Sequence, residues 1–370
     1  MGTEQDRDDH LRRSSSIAGD PVPFVSIIMP VRNEGNFIAK SLGAVMSQDY
    51  PRERMEVIVV DGISTDSTRL VVESFKKNYA NLHMIDNPGM IVPKGMNIAM
   101  ARAKGEIIVR VDGHCVIAQD YVRRCVDHLQ SDHVDGVGGS VSTKGETKTS
   151  RVIAAAMSSR FGVGGSAFRT MFEKTKFVDT VPFPAYTRSI IERAGPYDEE
   201  LVRNQDDEYN YRLRKLGGRL LLAKDVKSEY YSRSSIRSLG RQYFQYGYWK
   251  VRVMQKHPRQ MSARQFVPAV FVVGLVGSCV YALGWGGAGT FAFLLLVSAY
   301  LTANLVASFL NARRDGRDLI PLLPVAFGTI HLSYGTGFIL GLVRFLGRWG
   351  PLGQIKGKRE PAFNDKPRRP

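Results

Sequence analysis

A long uncharged stretch near the C-terminus is the strongest constraint on this chain. No Asp, Glu, Lys, Arg or His occurs from Gln265 to Ala312. A bilayer crossing needs about 20 apolar residues, so the stretch has room for two membrane helices with a turn at the central GWGGAG (Gly284–Gly289). A buried helix pair in a soluble protein fits poorly, because globular helices of this length normally carry a charged face. We therefore predict spans at about residues 266–283 and 290–311.

Basic residues on both sides of these spans indicate their orientation. They are Arg252, Lys256, Arg259 and Arg264 before the first span, and Arg313, Arg314 and Arg317 after the second. Positively charged flanks stay in the cytoplasm. The sequence therefore predicts a multi-pass protein of the cell membrane whose folded domain lies on the cytoplasmic face.

A third apolar segment, residues 319–343, has basic residues on both sides and contains two prolines and the glycines of YGTGF. Three alternatives stay open: it spans, re-enters, or lies in the membrane interface. It completes a predicted membrane region over residues 265–346. An amphipathic interfacial helix over 236–264 is predicted before this region, and a basic tail over 347–370 after it.

The charge balance favours an anionic partner. The chain carries 51 Lys and Arg against 35 Asp and Glu, a net charge of +16. Much of the excess flanks the apolar segments or lies in the C-terminal tail, where anionic lipid explains it more directly than nucleic acid. We expect membrane lipids as partners and no nucleic acid. The three cysteines form no CxxC and indicate neither a zinc site nor a disulfide framework.

The rest of the chain alternates short apolar runs with amphipathic segments. Residues 1–23 are polar and are predicted to be disordered. The predicted strands FVSIIMP, MEVIVVD, NLHMID and EIIVRVD are separated by predicted helices. This alternation is typical of an α/β fold whose parallel sheet is covered on both faces. We assign it to a domain over 24–235, with halves at 24–130 and 131–235.

Polar residues follow three of these strands. They are Pro30, Asn33 and Glu34 after the first, Asp61 after the second, and Asp112 and His114 after the fourth. In such sheets, ligands bind outside the carboxyl ends of the strands. A single carboxylate there is explained by helix capping. Three clusters at one edge predict a binding site.

Two glycine patterns suggest a dinucleotide site but do not fit one. GVGGSA (Gly162–Ala167) and GVGGS (from Gly136) lie far from the first strand-to-helix turn, where the dinucleotide fingerprint belongs. The first such turn, PVRNEGN, has no matching glycine spacing. We interpret both patterns as glycine-rich loops and exclude a Rossmann dehydrogenase.

Four motifs in order resemble those of family 2 glycosyltransferases with the GT-A fold. They are VSIIMPVRNEGNFI, VIVVDGISTDST, NIAMARAKGEIIVRVDGH and NQDDEYNYRLRKLGG. The resemblance extends over roughly residues 24–250. It implies a mixed, mainly parallel sheet flanked by helices. The segments DTVPFPAYTR, AGPYDEEL and RQYFQYGYWK most resemble membrane-anchored glucosyltransferases of exopolysaccharide assembly, of the succinoglycan type.

The resemblance also implies a nucleotide site and a cation site. Pro30, Asn33 and Glu34 would line the base pocket, and Asp61 would accept hydrogen bonds from the base or ribose. Asp112 and His114 stand where the family has Asp-x-Asp, which holds a divalent cation, Mn²⁺ or Mg²⁺, against the donor diphosphate. The histidine suits Mn²⁺ better than the harder Mg²⁺. A local hydrogen bond is the alternative role for it.

A second acidic cluster, Gln205-Asp206-Asp207-Glu208, opens a predicted helix. Acidic residues there also stabilise the helix dipole. By resemblance, Gln205 replaces a Glu and Asp206 is the general base that takes a proton from the acceptor hydroxyl. Asp207 is the second candidate. One base opposite the diphosphate implies a single displacement with inversion.

The segment YYSRSSIRSLGRQYFQYGYWKVR places aromatic residues and arginines at near-helical spacing. Arg233, Arg237 and Arg241 are candidates for contacting the donor diphosphate or a lipid phosphate. A basic helix resting on the membrane is the alternative. The Gln-x-x-Arg-Trp motif of processive synthases is absent, which favours the addition of one sugar per encounter.

These features predict an inverting, metal-dependent hexosyltransferase. The expected donor is a UDP-linked sugar, such as a glucose donor, and the expected acceptor is a polyprenyl-linked saccharide. Two alternatives remain. One is transfer directly to polyprenyl phosphate, and the other is an inactive, membrane-tethered nucleotide-binding scaffold, suggested by His114 and Gln205.

Overall fold

The structure is a computed structural model that describes residues 22–164, 174–232 and 234–349. The predicted disordered segment therefore lies outside the described residues except for its last two positions. Most of the predicted basic tail, and Arg233, also lie outside them.

The first half of the domain follows the alternation predicted from sequence. Its elements, in order, are β1 (Val25–Val31), α1 (Ile38–Met46), β2 (Met55–Asp61), α2 (Thr68–Lys76), β3 (Leu82–Asp86), α3 (Val92–Arg102), β4 (Ile107–Arg110), β5 (Cys115–Ile117) and α4 (Tyr121–Ser131).

The second half mixes short and long elements. They are β6 (Gly136–Lys144), α5 (Lys148–Met157), α6 (Arg160–Val163), β7 (Lys176–Phe177), β8 (Ala185–Thr187), α7 (Arg188–Ala194), α8 (Gln205–Lys215) and β9 (Leu220–Tyr231).

The strands of the described residues form one mixed sheet in the order β3-β2-β1-β4-β8-β6-β9-β5, with β7 pairing to β9. Strands β1 to β4 are parallel, while β8 runs antiparallel to both β4 and β6. The parallel register aligns Val31 with Asp61. The polar residues after β1, β2 and β4 therefore meet at one edge, and the predicted mixed, mainly parallel sheet is confirmed.

Helices cover both faces of the sheet because side chains alternate along each strand. In β1, Ile27 and Met29 pack on one face with α1, α4 and α5. Ile28 points to the other face and packs with α3, α7 and α8. Each face has its own buried apolar cluster, so the central strands are apolar on both sides.

The glycine pattern at Gly136 is a strand, so its interpretation as a loop was wrong. Gly136–Lys144 forms β6, which shifts register against β9 between Gly139 and Ser140. A Cβ on Gly139 would collide with the Val226 carbonyl. Glycine is therefore needed for close backbone approach at a bulge. The other pattern begins in α6, whose C-cap Gly164 has φ +64°; the rest of it lies outside the described residues.

Four long helices complete the described chain: α9 (Ile236–Lys256), α10 (Val267–Trp285), α11 (Gly287–Asp315) and α12 (Leu323–Arg344). The helix predicted over 236–264 is shorter than expected. It ends at Lys256, two residues before Pro258, and only two short 3₁₀ turns follow before α10. Helices α10 and α11 cover the two predicted spans, and Gly286 makes the turn with φ +60°.

The third apolar segment is one continuous helix, α12, which packs closely against α9. Glycines make the close approach possible at several levels. A Cβ on Gly337 would collide with the Phe244 carbonyl, and a Cβ on Gly247 would collide with the Tyr334 carbonyl. Both helices therefore use glycine to bring their backbones together, as closely packed membrane helices do.

This packing predicts different outcomes for two glycines of α12. Gly337→Ala should lower the thermal unfolding midpoint of the full-length protein in detergent, because overpacking typically costs about 1–3 kcal/mol. Gly328→Ala is the matched control. The nearest atom to its added Cβ, Tyr300 Oη, lies 3.9 Å away, and alanine favours a helix. Equal midpoints for the two variants would contradict the packing described here.

Candidate active site

Hydrogen bonds join the loops that follow β1 and β2. Asn33 has a left-handed backbone with φ +53°, a conformation that asparagine tolerates better than most residues. The Asn33 amide donates to Ser64 Oγ at 2.9 Å, and the Thr65 amide donates to Asn33 Oδ1 at 2.8 Å. Asn33 thus fixes the two loops against each other and stays exposed at the edge of the sheet.

Two of the predicted nucleotide-binding residues are buried. Pro30 lies inside β1, next to Gly95 of α3. The Asp61 side chain is 1% exposed. It accepts hydrogen bonds from Ser64 Oγ at 2.5 Å and from Arg69 Nη1 at 2.6 Å. Both residues are buried beneath the loops in this structure and have no surface that a ligand could contact. Their roles as nucleotide contacts stay predictions.

Glu34 reaches from the first loop to the third polar cluster. Its backbone amide donates to Thr68 Oγ1 at 2.8 Å, and its Oε1 lies 2.8 Å from His114 Nδ1. The Glu34 and His114 side chains are 18% and 15% exposed. The His114 ring also packs edge-on against Tyr230. The carboxylate and the tyrosine together fix the orientation of the imidazole.

Arg110 joins the two acidic centres that the sequence separates. It is 6% exposed in β4. Its Nε donates to Asp112 Oδ1 at 2.9 Å, its Nη2 donates to Asp112 Oδ2 at 3.3 Å, and its Nη1 forms an ion pair with Asp206. One guanidinium therefore holds the carboxylate after β4 beside the carboxylate at the start of α8.

Sequence reasoning missed Arg110. The available signal was a single cation within the apolar strand IIVRV. Lysine and arginine are almost never fully buried unless they are paired. A charged residue at a position that alternation places inside the sheet therefore implies a buried acidic partner, although sequence does not identify that partner.

The site environment raises the pKa of Asp206. Burial among protein groups is the main cause; Arg110 opposes the shift, while Asp112 and Asp207 add to it. Yet 43% of the Asp206 side chain remains exposed. A carboxyl group that is deeply surrounded but accessible is suited to exchanging a proton with a bound molecule. For Arg110, burial alone would lower the pKa, but Asp112 and Asp206 raise it well above its ordinary value.

The three acids of α8 have different partners. Asp207 forms an ion pair with Lys250 of α9, and its carbonyl accepts a hydrogen bond from Gln260 at 2.7 Å. Glu208 is held by Arg212 and His257. Only Asp206, among these three acids of the described chain, pairs with strand β4. The structure thus separates Asp206 from the other acids in a way that sequence did not.

Two of the predicted basic contacts are exposed, and the third lies outside the described residues. Arg237 and Arg241 are exposed on α9. Arg233 lies outside the described residues, so its predicted contact with a diphosphate is not addressed. Gln205 is 5% exposed, and its Oε1 has no hydrogen-bond partner within the described chain.

Asp112 and His114 stay candidate ligands for a divalent cation. The described residues contain no group of three or more His, Cys, Asp or Glu side chains arranged to hold a metal. Sites for cations that also bind substrate phosphates commonly use only one or two protein ligands. The Glu34 contact to His114 Nδ1 matches the carboxylate that orients many metal-binding histidines, and it leaves Nε2 for a ligand.

A comparison with models of known protein families identifies a match in the first part of the chain. The sequence model described as Glycosyl transferase family 2 matches residues 26–194. These residues run from β1 to the end of α7. They include Arg110, Asp112 and His114, but stop before Asp206.

Two curated relatives match most of the chain. A protein of Methanococcus voltae is 27% identical over 329 residues, covering 87% of this chain and 98% of the relative, and is named "Dolichyl N-acetyl-alpha-D-glucosaminyl phosphate 3-beta-D-2,3-diacetamido-2,3-dideoxy-beta-D-glucuronosyltransferase". The "Succinoglycan biosynthesis protein ExoA" of Rhizobium meliloti (strain 1021) is 26% identical over 321 residues, covering 86% of this chain and 95% of the relative.

One solved structure shares the fold. It is the mannosyltransferase PcManGT from Pyrobaculum calidifontis in complex with GDP-Man and Mn²⁺. The similarity covers 90% of this chain and 93% of that chain, with a TM-score of 0.54 and 20% sequence identity. At this identity the match establishes a common fold and nothing further.

Proposed function

Because the chain belongs to glycosyltransferase family 2 through residues 26–194, we propose that it transfers one sugar, a hexose or similar, from a nucleotide-diphosphate donor to a lipid-linked saccharide. The observation that carries the proposal is the junction at Arg110, where Asp112 and Asp206 contact the same guanidinium. This contact supports a single site in which Asp112 serves donor binding and Asp206 accepts a proton.

The chemistry is one displacement. Asp206 accepts the proton of an acceptor hydroxyl while that oxygen forms a bond to the anomeric carbon. The bond from this carbon to the donor diphosphate breaks, and its electron pair leaves with the nucleotide. A single base on the face opposite the leaving group produces inversion. Asp206 is the preferred base because it shares Arg110 with Asp112, whereas Asp207 is directed to Lys250 of α9.

Asp112 and His114 would hold a divalent cation against the donor diphosphate. The bound cation would offset the negative charge that develops on the leaving group. Glu34 keeps the His114 ring in one orientation through Nδ1, and Arg110 fixes the Asp112 carboxylate. Asn33 holds the loops on which a nucleotide base would rest. A UDP-linked donor is proposed because the sequence motifs resemble those of family 2 glycosyltransferases.

Membrane location and acceptor are proposed together. Among the residues that the structure describes, three helices are long and apolar enough to cross a bilayer, by length and composition. The basic flanks of these helices favour a catalytic domain on the cytoplasmic face. The name of the Methanococcus relative describes transfer to a dolichyl-phosphate-linked N-acetylglucosamine, which favours a saccharide acceptor on a polyprenyl carrier over the bare polyprenyl phosphate.

The base assignment predicts unequal losses for two neighbouring variants. Asp206→Asn should reduce kcat by about 10²–10⁴-fold, the usual contribution of general acid–base catalysis. Asp207→Asn is the matched control and should lose much less, because it weakens only the ion pair with Lys250. The measurement is sugar transfer to membrane lipid with Mn²⁺ present. Unchanged donor turnover in Asp206→Asn would favour the scaffold alternative, and a larger loss in Asp207→Asn would move the base to Asp207.

The charge arrangement predicts a shift in pH dependence. The base must be ionised, so kcat/KM should fall as the pH drops through the Asp206 pKa, which lies above the ordinary aspartate value because of burial. Arg110 favours the ionised form, so Arg110→Gln should move this acid limb to higher pH. The kcat/KM profile reports the free enzyme. A limb that stays in place in Arg110→Gln would show that another group controls it.

The histidine in the proposed cation site predicts a metal preference. Chelation should abolish transfer, and Mn²⁺ should restore it better than Mg²⁺, because imidazole is a poor ligand for hard Mg²⁺. His114→Asp should lower the ratio of Mn²⁺-supported to Mg²⁺-supported rates. Glu34→Gln, which retains both proposed ligand side chains, should leave that ratio closer to the parent value. An unchanged ratio in His114→Asp would remove His114 from the cation site.

A further inference from the structure

Helix α12 is covered by protein far more than the other two apolar helices. In its most apolar window 39% of residues are buried inside the protein, against 11% for α10 and for α11. Its first half belongs to the main core of the catalytic domain, where Leu323, Ala326, Phe327 and Ile330 pack in the same cluster as residues of the sheet. Half of the helix is therefore part of the folded domain.

The second half of α12 is covered by α9. The two backbones approach at Gly337, which lies against the Phe244 carbonyl, and at Gly341, where an added Cβ would lie 2.6 Å from the Tyr248 carbonyl. Phe338 is 2% exposed in a cluster shared with Val251 of α9. Helix α9 therefore runs beside α12 over several turns.

Helix α9 carries charges that tie it to the catalytic domain. Lys250 pairs with Asp207, Lys256 pairs with Asp198, and Arg252 Nη2 lies 2.8 Å from Glu200 Oε1. A 22-residue helix at about 1.5 Å per residue is about 33 Å long, close to the thickness of the hydrocarbon core of a bilayer. If α12 crossed the membrane, these ion pairs and the adjoining sheet domain would enter hydrocarbon, where charged groups are strongly disfavoured.

The uncovered side of α12 carries an apolar stripe that is interrupted by the exposed Thr336. Val325, Leu332, Leu340 and Val343 are 50%, 40%, 47% and 62% exposed. At 3.6 residues per turn these positions fall on one side of the helix. A helix covered by protein on one side, with an apolar stripe on the other, suits the membrane interface.

We propose that α12 lies along the cytoplasmic membrane interface, with this stripe resting in the lipid leaflet, and that α10 and α11 alone cross the bilayer within the described chain. The inference rests on the proposed membrane location. Lipid is the expected occupant because only a short link, Gly316 to Leu322, separates the start of α12 from the end of α11, one of the two proposed spans. Arg317, shortly before α12, and Arg344, at its end, complement anionic headgroups.

Single-cysteine labelling in membrane vesicles tests this topology. The background is full-length Cys279→Ser, since Cys115 and Cys125 are buried. Three sites are introduced separately: Leu70→Cys on the catalytic domain, Gly287→Cys at the hairpin turn, and Gly347→Cys after α12. An impermeant maleimide should label Leu70→Cys and Gly347→Cys to the same extent in sealed inside-out vesicles. It should label Gly287→Cys only in right-side-out vesicles.

The outcomes separate the topology from the proposed location. If Gly347→Cys and Gly287→Cys were both labelled only from the side opposite Leu70→Cys, α12 would cross the bilayer and the inference would be overturned, while the membrane location would survive. If Gly287→Cys were labelled on the same side as Leu70→Cys, the hairpin would not cross, and both proposals would fail.

A depth measurement provides a second test that does not depend on those variants. Nitroxides attached at 325, 332, 340 and 343, one at a time in the same background, should all report a similar shallow depth from their accessibility to oxygen and to a water-soluble paramagnetic reagent. A depth that passes through the bilayer centre between 325 and 343 would overturn the interfacial placement.

Discussion

The candidate active site depends on one buried cation. Arg110 is almost completely excluded from water in β4, and its charge is compensated by Asp112 and Asp206. Removing one partner of a buried ion pair typically costs about 3–5 kcal/mol, and less where a partner keeps contact with water, as Asp206 does. The interaction therefore fixes α8 against the end of β4, and with it the relative position of the two acids that the proposed chemistry requires.

The same helix connects the site to the membrane region. The next acid, Asp207, pairs with Lys250 of α9, and α9 packs backbone to backbone against α12 through Gly247, Gly337 and Gly341. A lipid-linked acceptor resting at the interface would thus approach helices that are rigidly attached to the proposed base. The proposed function and the proposed position of α12 are linked by this chain of contacts.

Much of the architecture could be predicted from sequence because it depends on local pattern. Alternating strands and helices in residues 24–130 and the uncharged stretch from Gln265 both follow from periodicity and composition. The pattern failed where tertiary contacts override local preference. Gly139 lies at a bulge in a strand and not in a loop. The helix over Ile236–Lys256 ends near Pro258 instead of continuing to 264.

The sequence singled out the acids of the candidate site, whose roles stay predictions, and missed Arg110 between them. Strand ends located Asp112 and His114, and the motif order located Asp206. The sequence does not show that the Asp61 carboxylate oxygens already accept hydrogen bonds from Ser64 and Arg69. These contacts depend on how the loops fold over one another. It also did not reveal that Arg110 joins two acids far apart in the chain, because an ion pair between strand and helix has no fixed sequence spacing.

An experimental structure of the full-length protein with an intact nucleotide-sugar donor, Mn²⁺ and an acceptor analogue tests the central claim most directly. The account predicts the diphosphate and cation beside Asp112 and His114, and the acceptor hydroxyl within hydrogen-bond distance of Asp206 on the opposite face of the donor sugar. A donor bound elsewhere, or an acceptor oxygen that does not reach Asp206, would contradict it.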